Sequence, residues 1–459
     1  MAGLLAGGSL VTVDFFAVLA ALPLLQHQLG ASPGQLQLVV AGYAIVTACT
    51  MVIGGRLGDA WGRRRVLLAG LALFALGALG AALAHTAAAI VSLRLVQGLG
   101  GALAQPQVLA LMTLNADPAQ RTRVFGAYTA TLAMAAVSAQ LVAGALVQWL
   151  PPEFAWRGSF LLTLPLCAAA ALLTRGVVDG PRDATPRVDL VGALLLAGAL
   201  GAWSAALTLG RDQGWPAWTA LAGAGGAACL MLSVAWQRRG ARLAAAGRPT
   251  PRLLPAGLLG ANHFTRAVAG LTLFYAGVSS FYLVFALSLR ATGLFTPAAV
   301  GMVFGLVAVA AAVASMSPRV RLAVGERWAG AGTLLLGTGH LAWLAAVHAG
   351  DEMATVAGVL AGALMQGAGI GLLMARLMSH ATSLLSAQQT SVGSGVATTM
   401  QQVGNSLGVV LIGLAYFDDG GTGRDLPAAV AYLLATLGGL WLLVGGAARR
   451  GAASVSPAR

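Results

Sequence analysis

The stretch Gly55-Arg-Leu-Gly-Asp-Ala-Trp-Gly-Arg-Arg-Arg-Val-Leu67 lies between two long apolar segments and is the most informative part of the chain. It combines glycines suited to a tight reversal with the carboxylate of Asp59 and a cluster of arginines. Asp59 and Arg63 are four residues apart, so they can form an ion pair if this segment is helical. Asp59 would also suit docking against the N-terminus of a neighbouring helix. On these features alone, a solvated basic loop explains the stretch equally well.

The composition of the whole chain predicts a membrane protein. Of the 459 residues, 58% are apolar and only 9% are charged, whereas soluble domains carry about 25% charged residues. The chain contains fourteen apolar stretches, or about 33 residues for each. Because a membrane-spanning helix needs ~20 residues, only short connections remain, with no room for a large soluble domain. The predicted fold class is therefore an all-α polytopic membrane protein.

The first apolar stretch resembles a signal peptide only in length. It lacks a basic leader and carries Asp14 in its apolar core, so we interpret it as a retained helix. The fourteen predicted spans are 4–26, 33–54, 66–84, 87–113, 123–148, 158–175, 189–210, 217–236, 259–289, 297–317, 328–347, 353–377, 391–415 and 427–448.

The arginines indicate the orientation. An even number of spans places both termini on one side, and the loops and tail on that side hold 20 arginines against 4 in the opposite loops. The positive-inside rule therefore predicts cytoplasmic termini in a multi-pass protein of the cell membrane. The net charge of +13 belongs to these short loops, so we expect no nucleic-acid partner. The use of arginine without lysine indicates a bacterial, GC-rich genome.

Two connections are longer and rich in Pro, Gly and Arg: 176–188 and 237–256. They bracket two spans and leave six spans before and six after, an arrangement typical of parallel-repeat secondary transporters. The predicted domains are a six-helix bundle at 1–175, a linker with two inserted spans at 176–256, a second six-helix bundle at 257–448 and a cytoplasmic tail at 449–459.

Several motifs resemble those of one family. The pattern Gly-x-Leu-x-Asp-x-x-Gly-Arg-Arg, beginning at Gly55, resembles the signature loop between helices two and three of the major facilitator superfamily. The stretch from Leu93 to Gly98 resembles the second motif of that family, and Val13 to Pro23 resembles the first-span motif of its drug–proton antiporters. Together they are similar to the fourteen-span antiporter branch. This resemblance implies two bundles of six helices plus two inserted helices, and a conformational-switch loop. The implied motif residues are Gly55, Asp59, Gly62, Arg63 and Arg64 in the loop and Gln97 and Gly98 in span four.

The chain also departs from the antiporter pattern. In span five the family usually has Gly-Pro-x-x-Gly-Gly, whereas the aligned residues here are Ala139-Gln-Leu-Val-Ala-Gly144. The absence of the bend-forming proline weakens the inference of antiport but not that of transport.

Asp14 and Arg94 are the predicted proton-coupling residues. Asp14 lies near mid-depth of span one, where a charge costs ~2.5–3.5 kcal/mol or more and usually marks a proton or substrate path. Spans one and four run antiparallel, and counting residues places the two charges within ~6 Å in depth. Burial disfavours the charged carboxylate while a nearby arginine favours it, and arginine itself stays protonated. A purely structural ion pair is the alternative.

Other polar and aromatic residues are candidates for the substrate cavity. The resemblance implies that spans five, twelve and thirteen line this cavity, and helix–helix hydrogen bonding or core packing is the alternative for each residue. His340 lies mid-depth in span eleven and can titrate, but the resemblance implies a peripheral support helix there. The cavity candidates are Tyr43, Gln105, Gln140, Tyr275, Tyr282, Gln366, Gln401 and Asn405.

These observations predict a secondary active exporter of small amphipathic molecules, such as a drug, antibiotic or secondary metabolite, driven by proton antiport through alternating access. We expect no cofactor besides the coupling proton, no metal, lipids as the surroundings and function as a monomer. The alternative is a uniporter or proton symporter for a small organic solute. A membrane-embedded enzyme would need paired carboxylates or a His–acid cluster at one interface, which the sequence does not suggest. Because Asp14 is the one acidic residue placed deep in a span, we expect neutral, zwitterionic or monovalent substrates.

Overall fold

The structure, a computed structural model, describes residues 1–116, 121–179, 189–246, 262–317, 327–383, 390–417 and 425–453. All regular elements in these ranges are helices, which confirms the predicted all-α class. They are α1 (Ala2–Leu29), α2 (Pro33–Trp61), α3 (Arg63–Leu83), α4 (Ala87–Leu114), α5 (Arg121–Trp149), α6 (Pro152–Leu161), α7 (Thr163–Leu173), α8 (Leu190–Asp212), α9 (Ala217–Ala245), α10 (Asn262–Ala291), α11 (Pro297–Met316), α12 (Trp328–Val347), α13 (Glu352–Ser383), α14 (Thr390–Tyr416) and α15 (Leu426–Ala453).

Twelve segments of the described chain are long and apolar enough to cross a membrane. The predicted spans at 123–148 and 391–415 are not among them, although α5 contributes the shorter apolar helix Met134–Trp149. The chain is therefore a multi-pass membrane protein, while the count of fourteen spans stays a prediction.

Some predicted span boundaries differ from the ends of the helices in the structure. Helix α2 continues to Trp61, beyond the predicted end at 54, and α9 continues to Ala245, beyond 236. The sixth span begins earlier than predicted and divides into α6 and α7 at Leu162. Pro165 lacks the N–H that would bond the carbonyl of Leu161 in a continuous helix, which accounts for the break.

The helices form two compact units, the first containing α1 to α9 and the second α10 to α15. In the first unit α2 crosses α4 very closely. A methyl group added at Gly54 would overlap the carbonyl oxygen of Ala102, and one at Gly58 would overlap the side-chain amide of Gln107. Pro106 has no backbone N–H to donate to the Ala102 carbonyl within α4. The Gly54 backbone therefore packs against a carbonyl that lacks its helical hydrogen bond.

The two predicted inserted spans form a helical hairpin, α8–α9, within the first unit. Asp189 caps α8 by accepting from the backbone N–H of Gly192 at 2.8 Å. The same carboxylate accepts from the Trp236 indole at 2.9 Å and the Gln237 amide at 2.7 Å, both on α9. At the other end of α8, Asp212 accepts from the backbone N–H of Gly34 at 3.0 Å. The hairpin is thus closed at one end and attached to the start of α2 at the other.

The second unit repeats the close packing of glycine on backbone. Gly404 and Gly408 of α14 lie against the backbone of Thr272 and Ala276 in α10, where an added methyl group would overlap a carbonyl oxygen at each position. Small residues of this kind let membrane helices approach closely. An aromatic cluster fills the space beside α10 and is formed by Phe281, Tyr282, Phe285, Phe304 and Trp343.

Candidate functional site

A buried ion pair joins α1 and α4 in the first unit. Oδ2 of Asp14, near the middle of α1, lies 2.5 Å from Nη1 of Arg94. Asp14 is fully buried and Arg94 is 1% exposed. The structure therefore brings together the two residues that the sequence predicts as the proton-coupling pair.

Neighbouring groups from α2 and α4 complete the hydrogen bonding of this pair. The Gln97 amide donates to the second Asp14 oxygen at 3.0 Å and accepts from Arg94 Nη1 at 2.8 Å. Arg94 Nε donates to the backbone carbonyl of Val39 at 2.9 Å. The guanidinium carbon lies 4.5 Å from the centre of the Tyr43 ring, within range of a cation–π interaction. The result is a charge-neutral cluster spanning α1, α2 and α4.

Small residues on α4 allow this cluster to form. An added Cβ at Gly98 would lie 2.7 Å from the carbonyl oxygen of Tyr43, and one at Gly101 would lie 2.9 Å from the Tyr43 hydroxyl. The Thr47 hydroxyl donates to the Gly98 carbonyl at 3.1 Å, which ties α2 to α4 at the same level. Further along α4, Gln105 donates to the carbonyl of Gly8 at 3.1 Å, so Gln105 bonds to the α1 backbone.

The cluster can change charge in one elementary step. A proton on Asp14 would neutralise the carboxylate and leave the Arg94 charge without its counter-ion in a buried site. Losing a buried partner in this way is costly, about 3–5 kcal/mol in water-soluble proteins. Because Asp14 is fully buried here, proton exchange between its carboxyl group and water would require the surrounding helices to rearrange.

The predicted signature loop proved to be mostly helical. Residues 55–61 form the last two turns of α2, and α3 begins at Arg63, so the turn between them is Gly62 alone. Gly62 has a φ of 98°, a conformation that favours glycine. Asp59 and Arg63 form the predicted ion pair at 2.7 Å, with their side chains 32% and 28% exposed.

Three contacts around this turn were not predicted. The Asp179 carboxylate accepts from the backbone N–H of Arg63 at 3.0 Å and therefore caps α3. Asn115, at the end of α4, exchanges two hydrogen bonds of 3.0 Å with the backbone of Val178. Gln107 donates to the carbonyl of Gly54 at 2.7 Å. Asp179 lies 116 positions beyond Arg63, and no spacing in the sequence connects them.

The cavity candidates of the second unit have varied surroundings. Gln366 bonds His340 on α12 and donates to the Leu336 carbonyl at 3.3 Å, which is a helix–helix contact. Asn405 donates to Gln402 on the same helix at 3.0 Å. Tyr282 packs on Phe304 of α11 with ring centres 5.3 Å apart.

The other candidates make fewer polar contacts. Tyr275 is buried beside Phe274, and Gln401 is half-buried on α14. In the first unit Gln140 of α5 is 1% exposed, and its Nε2 has no hydrogen-bond partner among the described residues. The Tyr43 hydroxyl and Oε1 of Gln366 are also buried without a hydrogen-bond partner among the described residues. A buried polar atom without a partner is costly, so these three candidates would gain from a polar ligand.

Comparison with known proteins identifies the family. The profile of the Major Facilitator Superfamily matches residues 4–318. The chain is 30% identical to the cephamycin export protein CmcT of Amycolatopsis lactamdurans over 92% of this chain and 85% of that protein. It is also 30% identical to a probable actinorhodin transporter of Streptomyces coelicolor, covering 86% and 68%. With the puromycin resistance protein pur8 of Streptomyces alboniger it shares 29% identity, covering 99% and 94%.

Solved structures share the fold. The POT family transporter PepTSo superposes with a TM-score of 0.69 at 15% identity, covering 99% of this chain and 98% of that one. The inward-open xylose transporter XylE from E. coli gives 0.65 at 14% identity, covering 96% and 95%. The family profile and the transporter relatives show that the chain belongs to the major facilitator superfamily, in its drug-efflux branch, and is a membrane transporter and not an enzyme.

Proposed function

We propose that this protein exports small amphipathic molecules in exchange for protons by alternating access. The observation that carries the proposal is the fully buried Asp14–Arg94 pair, bonded to Gln97 and positioned between three helices. A structural pair alone would not need an acid near the middle of a span, where charge is costly. Relatives described as a cephamycin export protein and a puromycin resistance protein support an antibiotic or secondary metabolite as substrate.

In the proposed cycle, substrate enters from the cytoplasm or inner leaflet while Asp14 is ionised. Opening toward the outside releases the substrate and exposes Asp14, which takes a proton. Loss of the carboxylate charge weakens the contact with Arg94, so α1 and α4 can repack and return the site to the inside. The proton then leaves to the cytoplasm, and Arg94 again pairs with Asp14. The motif residues around Gly62 and the Asp59–Arg63 pair would act as the conformational switch.

The proton gradient is sufficient for this work. At ~150 mV, one proton moving inward supplies about 3.5 kcal/mol. Since each 1.4 kcal/mol corresponds to a factor of ten, one proton supports a gradient of a few hundredfold for an uncharged substrate. A stoichiometry of one matches the single acid in the cluster.

The finer architecture belongs to the same proposal. We infer fourteen spans, with α6 and α7 forming one span and α5 and α14 completing the count. The bundles would occupy 1–175 and 257–448, with α8–α9 inserted and both termini cytoplasmic. The protein would work as a monomer in a bacterial cell membrane. The arginine asymmetry between loops supports this orientation.

A proton symporter or a uniporter is the second candidate. It is favoured by the departure of Ala139-Gln-Leu-Val-Ala-Gly144 from the antiporter motif of span five. The sign of the proton flux separates the two candidates, because symport and antiport move protons in opposite directions relative to substrate.

The test is transport by purified protein in proteoliposomes containing a pH-sensitive dye, with puromycin as the probe. We expect puromycin movement to drive proton flux in the opposite direction. Asp14→Asn should reduce that coupled flux at least about tenfold, because the amide cannot carry the proton. Asp351→Asn, at an exposed helix cap, is the matched control and should retain coupling. Unchanged coupling in Asp14→Asn would remove Asp14 from the mechanism, and proton flux parallel to puromycin would establish symport.

A further inference from the structure

Three arginines stand together at the end of α9. Arg238, Arg239 and Arg242 are all exposed, and none forms an ion pair with a described residue of the chain. Across the hairpin, the buried Asp189 is 4% exposed, and its carboxylate accepts hydrogen bonds from Gly192, Trp236 and Gln237. The arginine cluster therefore carries three positive charges, none of which is paired with a carboxylate in the part of the chain that the structure describes.

The position of the cluster along α9 matches the headgroup region of a bilayer. The preceding two turns expose large apolar side chains, namely Leu230, Met231, Leu232 and Val234. Trp236 follows and is fixed by its bond to Asp189, and tryptophan is enriched at the membrane–water interface. At 1.5 Å per residue, Arg238 and Arg242 lie ~3 Å and ~9 Å beyond Trp236 along the helix.

The side-chain chemistry of the cluster favours an anionic phosphate ester as its ligand. Arginine presents a planar fork of donors that matches phosphate oxygens and is more weakly hydrated than an ammonium group. Other arginines of the first unit are engaged differently: Arg63 pairs with Asp59, and Arg94 pairs with Asp14. The apolar surface directly before the cluster would contact the acyl chains of a lipid. The headgroup and the acyl chains of one lipid would thus contact adjacent parts of α9.

We propose that the end of α9 is a binding site for anionic phospholipids, with Arg238, Arg239 and Arg242 contacting the headgroup phosphate. The bound lipid would anchor the inserted hairpin at the interface. Because α8 is attached to α2 through Asp212 and Gly34, this anchor would also hold α2 at a fixed depth. The proposal is independent of the direction of transport and of proton coupling.

The test counts lipids retained by the full chain. Protein is equilibrated in micelles containing equal amounts of phosphatidylcholine and phosphatidylglycerol, and bound lipids are then measured by native mass spectrometry. The variant combines Arg238→Gln, Arg239→Gln and Arg242→Gln. The matched control combines Arg56→Gln, Arg175→Gln and Arg327→Gln, three other exposed arginines, and removes the same charge.

We expect the wild type and the control to retain phosphatidylglycerol in preference to phosphatidylcholine, and the α9 variant to lose more than half of it. For the unmodified protein, retention should fall as salt rises from about 50 mM to about 500 mM, which tests the site without any substitution. Equal losses in both variants, or retention insensitive to salt, would overturn the proposal. Displacement by the water-soluble glycerophosphoglycerol headgroup alone would also overturn it, because the site would then recognise free phosphate esters and not lipid.

Discussion

Arg94 is held by groups of three kinds: a carboxylate, neutral oxygens and an aromatic ring. The contact between the Tyr43 ring and Arg94 was not predicted from the sequence. Tyr43 was instead predicted to line the substrate cavity. In the structure Tyr43 is 2% exposed and lies against the guanidinium group. We therefore expect the Tyr43 ring to stabilise the Arg94 charge if Asp14 becomes neutral.

This position leads to a prediction about Tyr43. Tyr43→Leu removes the ring and should reduce the free energy of unfolding by ~2 kcal/mol or more, as expected for a desolvated cation–π contact. Tyr43→Phe keeps the ring and is the matched control, expected close to wild type. Thermal unfolding of the purified variants checks both. Equal unfolding midpoints for Leu and Phe would show that the ring contributes packing only.

The backbone conformation of Gly62 leads to a second prediction. Its φ of 98° and ψ of 127° are strained for any residue with a Cβ, at a cost of roughly 1–3 kcal/mol. Gly62→Ala should therefore lower the unfolding midpoint and disturb the turn between α2 and α3. Gly55→Ala is the steric control, because an added Cβ there meets only Pro106 at 3.8 Å. A stable Gly62→Ala variant would mean that the turn can relax without cost.

Sequence reasoning found the Asp14–Arg94 pair because both residues are charged within apolar spans and helix geometry fixes their depth. It also found the Asp59–Arg63 pair, because side chains four residues apart remain close together across the single-residue turn at Gly62. It could not find the Val39 carbonyl that accepts from Arg94, because a backbone acceptor carries no residue signature. The bond between Gln366 and His340 was likewise not predicted, because the sequence does not show which faces of α12 and α13 meet.

Among the helices, the junction of α2 and α3 depends on a distant residue. Asp179 follows α7 and accepts from the first backbone N–H of α3. Asn115 holds the same segment against the end of α4 through Val178. The start of α3 is thereby linked to the end of α4 by hydrogen bonds through residues outside every motif.

The corresponding prediction compares two helix caps. Asp179→Ala should cost ~1 kcal/mol of stability, as should Asp351→Ala at the start of α13, because each removes a carboxylate from a helix N-terminus. If the α2–α3 turn is the switch, only Asp179→Ala should slow transport as well. Unfolding midpoints and puromycin flux measured on both variants provide the comparison. Equal transport in the two would make Asp179 a cap and nothing more.

Helix boundaries show where the sequence signal is weak. The span at 328–347 was predicted correctly because its apolar run begins sharply after Arg327. The end of α2 was misjudged because glycine disfavours helix by about 1 kcal/mol per residue relative to alanine. Contacts of Gly54 and Gly58 with α4 compensate for that cost, and such contacts are known only once both helices are placed.

For the whole molecule, the distribution of acidic residues leads us to expect a limit on the positive charge of the substrate. Among the acidic residues that lie within helices of the described ranges, Asp14 alone is more than three positions from both ends of its helix; Asp59, Glu153, Asp212 and Glu352 lie at or near helix ends. The charge of Asp14 is already balanced by Arg94. The buried cluster therefore offers at most one negative charge to a cationic substrate, and only when Arg94 turns away.

Ethidium and propidium test this limit because they share a ring system and carry one and two positive charges. An additional uncompensated charge within a membrane costs ~2.5–3.5 kcal/mol, and each 1.4 kcal/mol is a factor of ten. We therefore expect proton-driven efflux of propidium to be at least tenfold slower than that of ethidium in the same proteoliposomes. Introducing a second acid near the pair, as in Gln97→Glu, should narrow this difference, whereas Gln97→Asn should not. Efflux of propidium as fast as that of ethidium by the unmodified protein would show that the substrate charge is balanced elsewhere than at Asp14.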